Sequence, residues 1–212
     1  MPTFYLLMRH KQKRDRNLMT DAVLINMYLE GDIGAFNHLV RKWQTPVYNF
    51  ICRYMGDDAD SADISQNIFL KVYKNLHLLQ DRARFKSWMF QITANHCKDH
   101  LRSRKYEMAV GSENSDEEHT VYVPVDPDQS PHGDFVNSDS SHLLNKALQT
   151  LPEEQRLIVV LKEYHGLRFR EIAQILQESE NTIKSRMYSG LRNIKSTLNK
   201  WGISKEDLIY EL

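Results

Sequence analysis

Residues 106–142 carry nine acidic side chains and neither a lysine nor an arginine. Pro124, Pro127 and Pro131 are scattered there among Ser and Asp, and no apolar period is sustained. A stretch of low hydrophobicity and net charge −9 buries too little apolar surface to offset the entropy of ordering it. It reads as a flexible linker, with Val121-Tyr122-Val123 suited at most to a short extended contact. The chain is thereby divided into two units that each need a core, and 212 residues suffice for two small ones.

The overall balance of 28 basic and 28 acidic residues hides this asymmetry. Residues 1–17 sum to +4, 18–105 to +3 and 143–212 to +2, so two mildly basic blocks flank the acidic connector. Cys52 and Cys97 are too few for a disulfide framework, which fits a reducing cytosol. No apolar run approaches the roughly 20 residues needed to span a bilayer. Phe4-Tyr5-Leu6-Leu7-Met8 is too short for a signal sequence, and its charges follow the apolar run. A cytoplasmic location without membrane insertion is expected.

Outside the connector the apolar spacing is helical and Gly and Pro are scarce. Thr20 and Asp21 open a first helix that Gly31 closes, and Asp32 caps a second running to Met55. That helix buries Phe36, Leu39, Val40 and Trp43, with a kink or break expected at Pro46. After Gly56, Asp60 or Ser61 caps a helix whose Ile64, Ile68, Val72 and Leu76 recur every four residues. A loop at 80–84 leads to a helix over 85–105 with Phe85, Trp88, Met89 and Ile92 inward. Beyond the linker, helices are expected over 141–150, 152–164, 169–176 and 180–200, with Gly166 as a left-handed cap and a short tail helix from Ser204. The fold class is all-α: two small helical domains joined by a flexible acidic linker.

Arg170-Glu171-Ile172-Ala173-Gln174-Ile175-Leu176, a four-residue turn and Thr182-Ile183-Lys184-Ser185-Arg186 form a helix-turn-helix pattern. Ala173 is small where the second helix crosses closely. Ile183, Met187, Leu191 and Ile194 face inward, which leaves Asn181, Lys184, Ser185, Tyr188 and Arg192 outward. Hydrogen-bonding and basic groups in the first half of such a helix suit a major groove, and Lys184, Arg186 and Arg192 suit phosphates. A merely solvated face accounts for the polarity alone, but not for turn, small residue and basic face together.

Two further stretches, Asp63-Ile64-Ser65-Gln66-Asn67-Ile68-Phe69-Leu70-Lys71-Val72-Tyr73 and 85–102 (Phe85-Lys86-Ser87-Trp88 onward), join Leu151-Pro152-Glu153-Glu154-Gln155-Arg156 and the helix-turn-helix. Together they resemble the extracytoplasmic-function (ECF) group of bacterial RNA polymerase sigma factors, over about 20–105 and 143–200. The resemblance implies a transcription initiation factor whose partners are core RNA polymerase, promoter DNA and an anti-sigma factor. It implies a region 2-like domain over 19–105, the linker over 106–141 and a region 4-like domain over 142–212, while residues 1–18 precede the family's usual start and read as a basic tail. Asp63, Gln66, Asn67, Phe69 and Leu70 would dock on the polymerase clamp, with Phe69 exposed for that purpose. The helix holding Trp88 and Asn95 would open the minus-ten box, Asn95 helping to hold a flipped base. Lys184, Ser185 and Tyr188 would read the minus-thirty-five box, and the linker would thread toward the active-site and RNA-exit channel.

Melting a duplex needs aromatic surface for unstacked bases and cations for the freed strand. Trp88 reads as core, so Phe90 and Asn95, with Lys98 and Arg102, are the candidates for DNA contact. The sequence departs from the family at Asn67, where an acid is usual, at Arg168, where Ser or Thr is usual, and at Ser189, where a base is common. It also has Gln177 and Glu178 where the turn usually has Gly and an aliphatic residue. A stand-alone helix-turn-helix regulator is the competing function, though neither dimer seam nor effector pocket is evident. His96, Cys97 and His100 have metal-ligand spacing but lie in a helix with another role, so no metal, cofactor or catalytic residue is assigned. The linker lets the two domains sit apart on DNA, and in the free chain lets them fold together and hide both DNA faces.

Overall fold

Asp21 stitches the start of the chain to its neighbour: its Oδ1 accepts from Trp43 Nε1 at 3.2 Å and pairs with Lys42 Nζ at 2.8 Å. That contact sets α1 (Asp21–Leu29) against α2 (Ile33–Met55), with Gly31 turning between them at φ +104°. The computed structural model describes residues 19–56, 60–110 and 139–203. The tail over 1–18, the helix from Ser204 and most of the linker, including Val121-Tyr122-Val123, lie outside the described residues.

Phe36, Leu39, Val40 and Trp43 line the buried face of α2 as their spacing predicts, and Val47, Phe50, Ile51 and Tyr54 extend it. The break expected at Pro46 does not occur, since α2 is one run of 23 residues. Proline removes one ladder bond at a cost of about 3 kcal/mol. Burial of Trp43, Val47, Phe50 and Ile51 on both sides of it keeps the helix continuous. α3 (Ser61–Asn75) buries Ile64, Ile68 and Val72, and a 3-10 turn places Leu76 beneath them. Asp81 then accepts from the Ala83 amide at 3.0 Å, shaping the 3-10 turn Arg82–Arg84 that opens α4 (Phe85–Val110).

α4 runs five residues beyond its expected end, into the stretch assigned to the linker. Tyr106 and Met108 are exposed there, so no buried stripe marks the extension. Local helix support holds it instead, including a Ser103–Glu107 hydrogen bond one turn apart. Across the linker come α5 (Asp139–Gln149), α6 (Glu153–Val159), α7 (Phe169–Leu176) and α8 (Glu180–Lys200). The single helix expected over 152–164 becomes α6 plus a π-helical turn, Val160–Tyr164. Gly166, at φ +62°, closes that turn with its amide on the Lys162 carbonyl, while the Leu167 amide reaches Leu161.

The described residues contain helices and turns and no strand. Their two helical blocks, α1–α4 and α5–α8, are docked rather than apart. α2 packs on α5, α6 and the π-helical turn, and α4 packs on α7. One buried apolar cluster runs from Leu24 through Phe50, Tyr54 and Phe90 into Leu157, Leu161 and Ile172. Polar clasps border it: Gln149 Nε2 donates to the Arg53 carbonyl at 2.9 Å, Arg84 contacts Gln174, and Lys105 pairs with Glu153.

Candidate polymerase and promoter interfaces

On α3, Asp63, Gln66, Asn67 and Leu70 fall three, four and seven residues apart and so share one face. Asp63 is exposed and the other three are half-buried, which leaves a polar line with one apolar residue. Phe69 departs from expectation: it is 7% exposed and belongs to the core. It lies one position past Ile68 and widens the inward stripe, so its ring is not available for docking. The exposed aromatic on this helix is Tyr73 instead. Its ring packs against Phe36 at 5.1 Å and Tyr28 at 5.6 Å, a cluster that the four-residue apolar period gave no reason to single out. Burial, with the Tyr73 hydroxyl beside it, raises the Tyr28 phenol to about 12.

α4 is covered on two sides, and this overturns the placement of Phe90 on a DNA-facing surface. Phe90 is fully buried, with ring centroids of Trp43 at 6.1 Å, Phe50 at 5.7 Å and His165 at 4.3 Å. The helical period identifies one inward stripe, through Phe85 and Met89. Phe90, Ala94 and Cys97 are buried as well, Phe90 between Trp43 and Phe50 of its own block and His165 of the other. Trp88, expected inside, is half-buried and 6.1 Å from Phe85. Asn95 and Arg102 are exposed and Lys98 half-buried, three residues along one face of the helix. Burial pushes the Cys97 thiol up to about 12, and Lys71 Nζ lies 2.8 Å from His96 Nδ1. Among the described residues no three His, Cys, Asp or Glu side chains gather to hold a metal ion.

Between the blocks lies a cleft of about 310 Å³ where Lys98, Arg102 and Lys105 of α4 face Glu153, Glu154 and Glu178. Lys105 pairs with Glu153 across the cleft, while Arg102 lies 3.7 Å from Asp99 of its own helix. The pair Glu153-Glu154 was visible in the sequence, but its position opposite α4 depends on how the blocks dock.

α7 and α8 form the helix-turn-helix with the expected bounds. Glu171 Oε2 accepts from the Arg168 amide at 2.7 Å, so half of a capping box survives without the usual hydroxyl. Gln177 takes the left-handed position, φ +55°, that glycine would occupy in the family's turn. Ser179 Oγ then caps α8 by accepting from the Thr182 amide at 3.0 Å. The inward stripe of α8 is Ile183, Met187, Gly190 and Leu198, with Ile194 half-buried. Leu191, expected inside, is 39% exposed. The phase shifts because Gly190 lets α6 approach: a Cβ there would meet Val159 Cγ2 at 3.1 Å.

Asn181, Ser185, Tyr188 and Arg192 are exposed and Lys184 half-buried, on one face of α8. Arg192 is steadied by Ser189 Oγ at 3.1 Å, and Lys184 lies 3.7 Å from Glu180 and 5.9 Å from the Phe169 ring. Arg186 does not join that face. It bridges Glu154 at 3.1 Å and Glu178 at 3.2 Å, so its charge is engaged within the protein. Docking therefore adds His165 to the cover of Phe90 and pairs Lys105 with Glu153, while the polar outer face of α8 stays in solvent.

Comparison with known proteins follows the same division. The family described as Sigma-70 region 2 matches residues 39–106, and Sigma-70, region 4 matches residues 141–194. The chain is 25% identical over 186 residues to the ECF RNA polymerase sigma-E factor of Haemophilus influenzae, covering 85% of this chain and 96% of that one. It is 27% identical to the RNA polymerase sigma-H factor of Pseudomonas aeruginosa, covering 84% and 93%. Among solved structures, the sigma factor RpoE in complex with the anti-sigma factor NepR from Bartonella quintana superposes with TM-score 0.63 at 20% identity, over 79% of this chain and 98% of that one. CnrH in complex with the cytosolic domain of CnrY gives 0.60 at 19%, over 85% and 97%.

Proposed function

The chain belongs to the ECF group of the sigma-70 family and is an RNA polymerase sigma factor, and from that premise we propose how its surfaces divide the work. The block over 19–105, with the rest of α4, docks on core polymerase through the α3 line of Asp63, Gln66, Asn67 and Leu70. It opens the promoter with Asn95, Lys98 and Arg102 of α4. The block over 142–212 anchors on the upstream box. Asn181, Ser185 and Tyr188 offer donors and acceptors to base edges, and Lys184 and Arg192 supply phosphate contacts. The polymerase performs the chemistry and this chain none, so its role is positioning and strand separation. It acts in the cytoplasm, where polymerase and template are, and an anti-sigma protein is its expected inhibitory partner.

The observation that carries this assignment is that the exposed polar line on α8 follows a capped helix-turn-helix, at the position matched by the region 4 family. The test is transcription in vitro with core polymerase from the host, with and without the chain, mapping start sites. New starts that require the chain are the expected result. Failure to bind core polymerase at low ionic strength would refute it.

A further inference from the structure

The docked arrangement is incompatible with reading both promoter boxes at once. Boxes about 25 base pairs apart lie roughly 85 Å apart along B-DNA at ~3.4 Å per pair. A folded chain of this length has a radius of gyration of only about 17 Å. The seam between the blocks must therefore open, and what holds it decides when.

At the centre of the seam stands His165, carried by the end of the π-helical turn and 9% exposed. Its ring lies 4.3 Å from Phe90 of α4 and 5.6 Å from Phe50 of α2, so it is the aromatic contact that the second block makes with this pair. Its Nε2 is buried with no hydrogen-bond partner among the described residues. The charges acting on it are Arg53 from α2 and Lys86 from α4, both cations. From its own segment Tyr164 stands beside it, beneath the Arg53 guanidinium at 4.3 Å. A neutral imidazole fits this place, whereas an imidazolium would be desolvated, unpaired and repelled from two sides.

We propose that His165 is an acid-released latch: neutral, it seals the two blocks over Phe90, and on protonation it opens the seam and frees them to span a promoter. The relevance of opening to initiation rests on the function proposed above. The latch itself does not.

Burial, reinforced by Arg53 and Lys86, lowers the docked imidazole to about 3, against 6.5 when the ring is free. Below pH 6.5 the open form takes up a proton that the docked form refuses. The docked state therefore holds fully above that pH and is lost progressively as the pH falls toward about 3. Each unit below the free value lowers the docked-to-open ratio by up to about tenfold.

The test uses the full chain with a fluorescent donor and acceptor at exposed positions of the two blocks, Ala62→Cys and Lys195→Cys, since both native cysteines are buried. Energy transfer is followed from about pH 7.5 to 5 in the ordinary His titration range, beside the far-ultraviolet helical signal. Transfer should fall below pH 6.5 while helicity holds, and His165→Phe, similar in size and never charged, should abolish the fall. His165→Gln, neutral but polar, should give an equally flat profile if the phenylalanine variant folds poorly. Lys105 and Glu153, which pair across the seam, are unchanged in sequence in all three proteins, so the difference isolates the imidazole. A flat wild-type profile, or the same fall in both variants, overturns the latch. A clear fall in a chain that never engages core polymerase upholds the latch and rejects the proposed function.

Discussion

α4 and α8 are the two helices assigned to DNA, and the protein treats them in opposite ways. α8 buries one flank through Ile183, Met187 and Gly190 and leaves Tyr188 58% exposed on the other. α4 is gripped on both flanks, and its central aromatic Phe90 has no accessible surface. The face proposed for recognition is thus presented in advance, while the central aromatic of the helix proposed for melting stays inside the core. A helix that reads duplex DNA needs only one free face, and that face is harmless in water because it is polar. Phe90 is apolar, and exposing its ring in the free chain would invite association.

The largest effect that tests this contrast is on stability. Phe90→Ala removes a fully buried ring from a seam shared by both blocks and should lower unfolding free energy by about 3–5 kcal/mol. Tyr188→Ala should change it by no more than about 0.5 kcal/mol. Chemical denaturation of the two variants decides it, and equal losses would mean that the blocks do not dock through Phe90.

Initiation should invert that order. Tyr188→Ala removes a side chain proposed to face base edges, and such a contact is typically worth ~1–3 kcal/mol, or about 5–150-fold in promoter discrimination. Lys184→Ala should act more evenly, reducing promoter binding a few-fold on all sequences and the salt slope by about 1. Neither should change affinity for core polymerase, and a loss there would break the division of labour between the two blocks. Arg186→Ala should instead cost up to about 1 kcal/mol of stability with little effect on promoter choice, because that cation is tied to Glu154 and Glu178.

Much of α8 and little of the α4 environment was legible in the sequence, for a physical reason. α7 and α8 have the expected bounds because Gly166, Ser179 and the apolar period are local signals. Asn181, Ser185, Tyr188 and Arg192 fall outside for the same reason. Phe90 was misplaced because periodicity reports a single inward stripe, and the second covering surface comes from residues more than 70 positions away. Phe69 and Leu191 are errors of phase, the one from a stripe wider than four-residue spacing implies, the other from the close approach at Gly190. Arg186 resembled its basic neighbours, and only the fold shows it facing Glu154 and Glu178. The continuity of α2 through Pro46 likewise depends on tertiary packing that no local rule contains.

The smallest effect lies in the turn that aims α8. Gln177 is the one non-glycine residue among those described with a positive φ, +55°, and its place is where the family's turn usually carries glycine. A side chain there crowds the backbone by about 1–2 kcal/mol, partly offset because glycine loses more conformational freedom on folding. Gln177→Gly should therefore stabilise the chain by up to about 1 kcal/mol, read as a rise in the denaturation midpoint with an unchanged slope. The Glu178 amide already reaches the Ala173 carbonyl at 3.0 Å, so the geometry glycine would favour is in place and promoter affinity should hold. Had the exposed face of α8 depended on a strained turn, relaxing Gln177 would move it, and affinity would fall as stability rose. Constant affinity with higher stability would instead show that Ser179 and the Ile183 stripe set the recognition helix, and that its readiness owes nothing to the strain beside it.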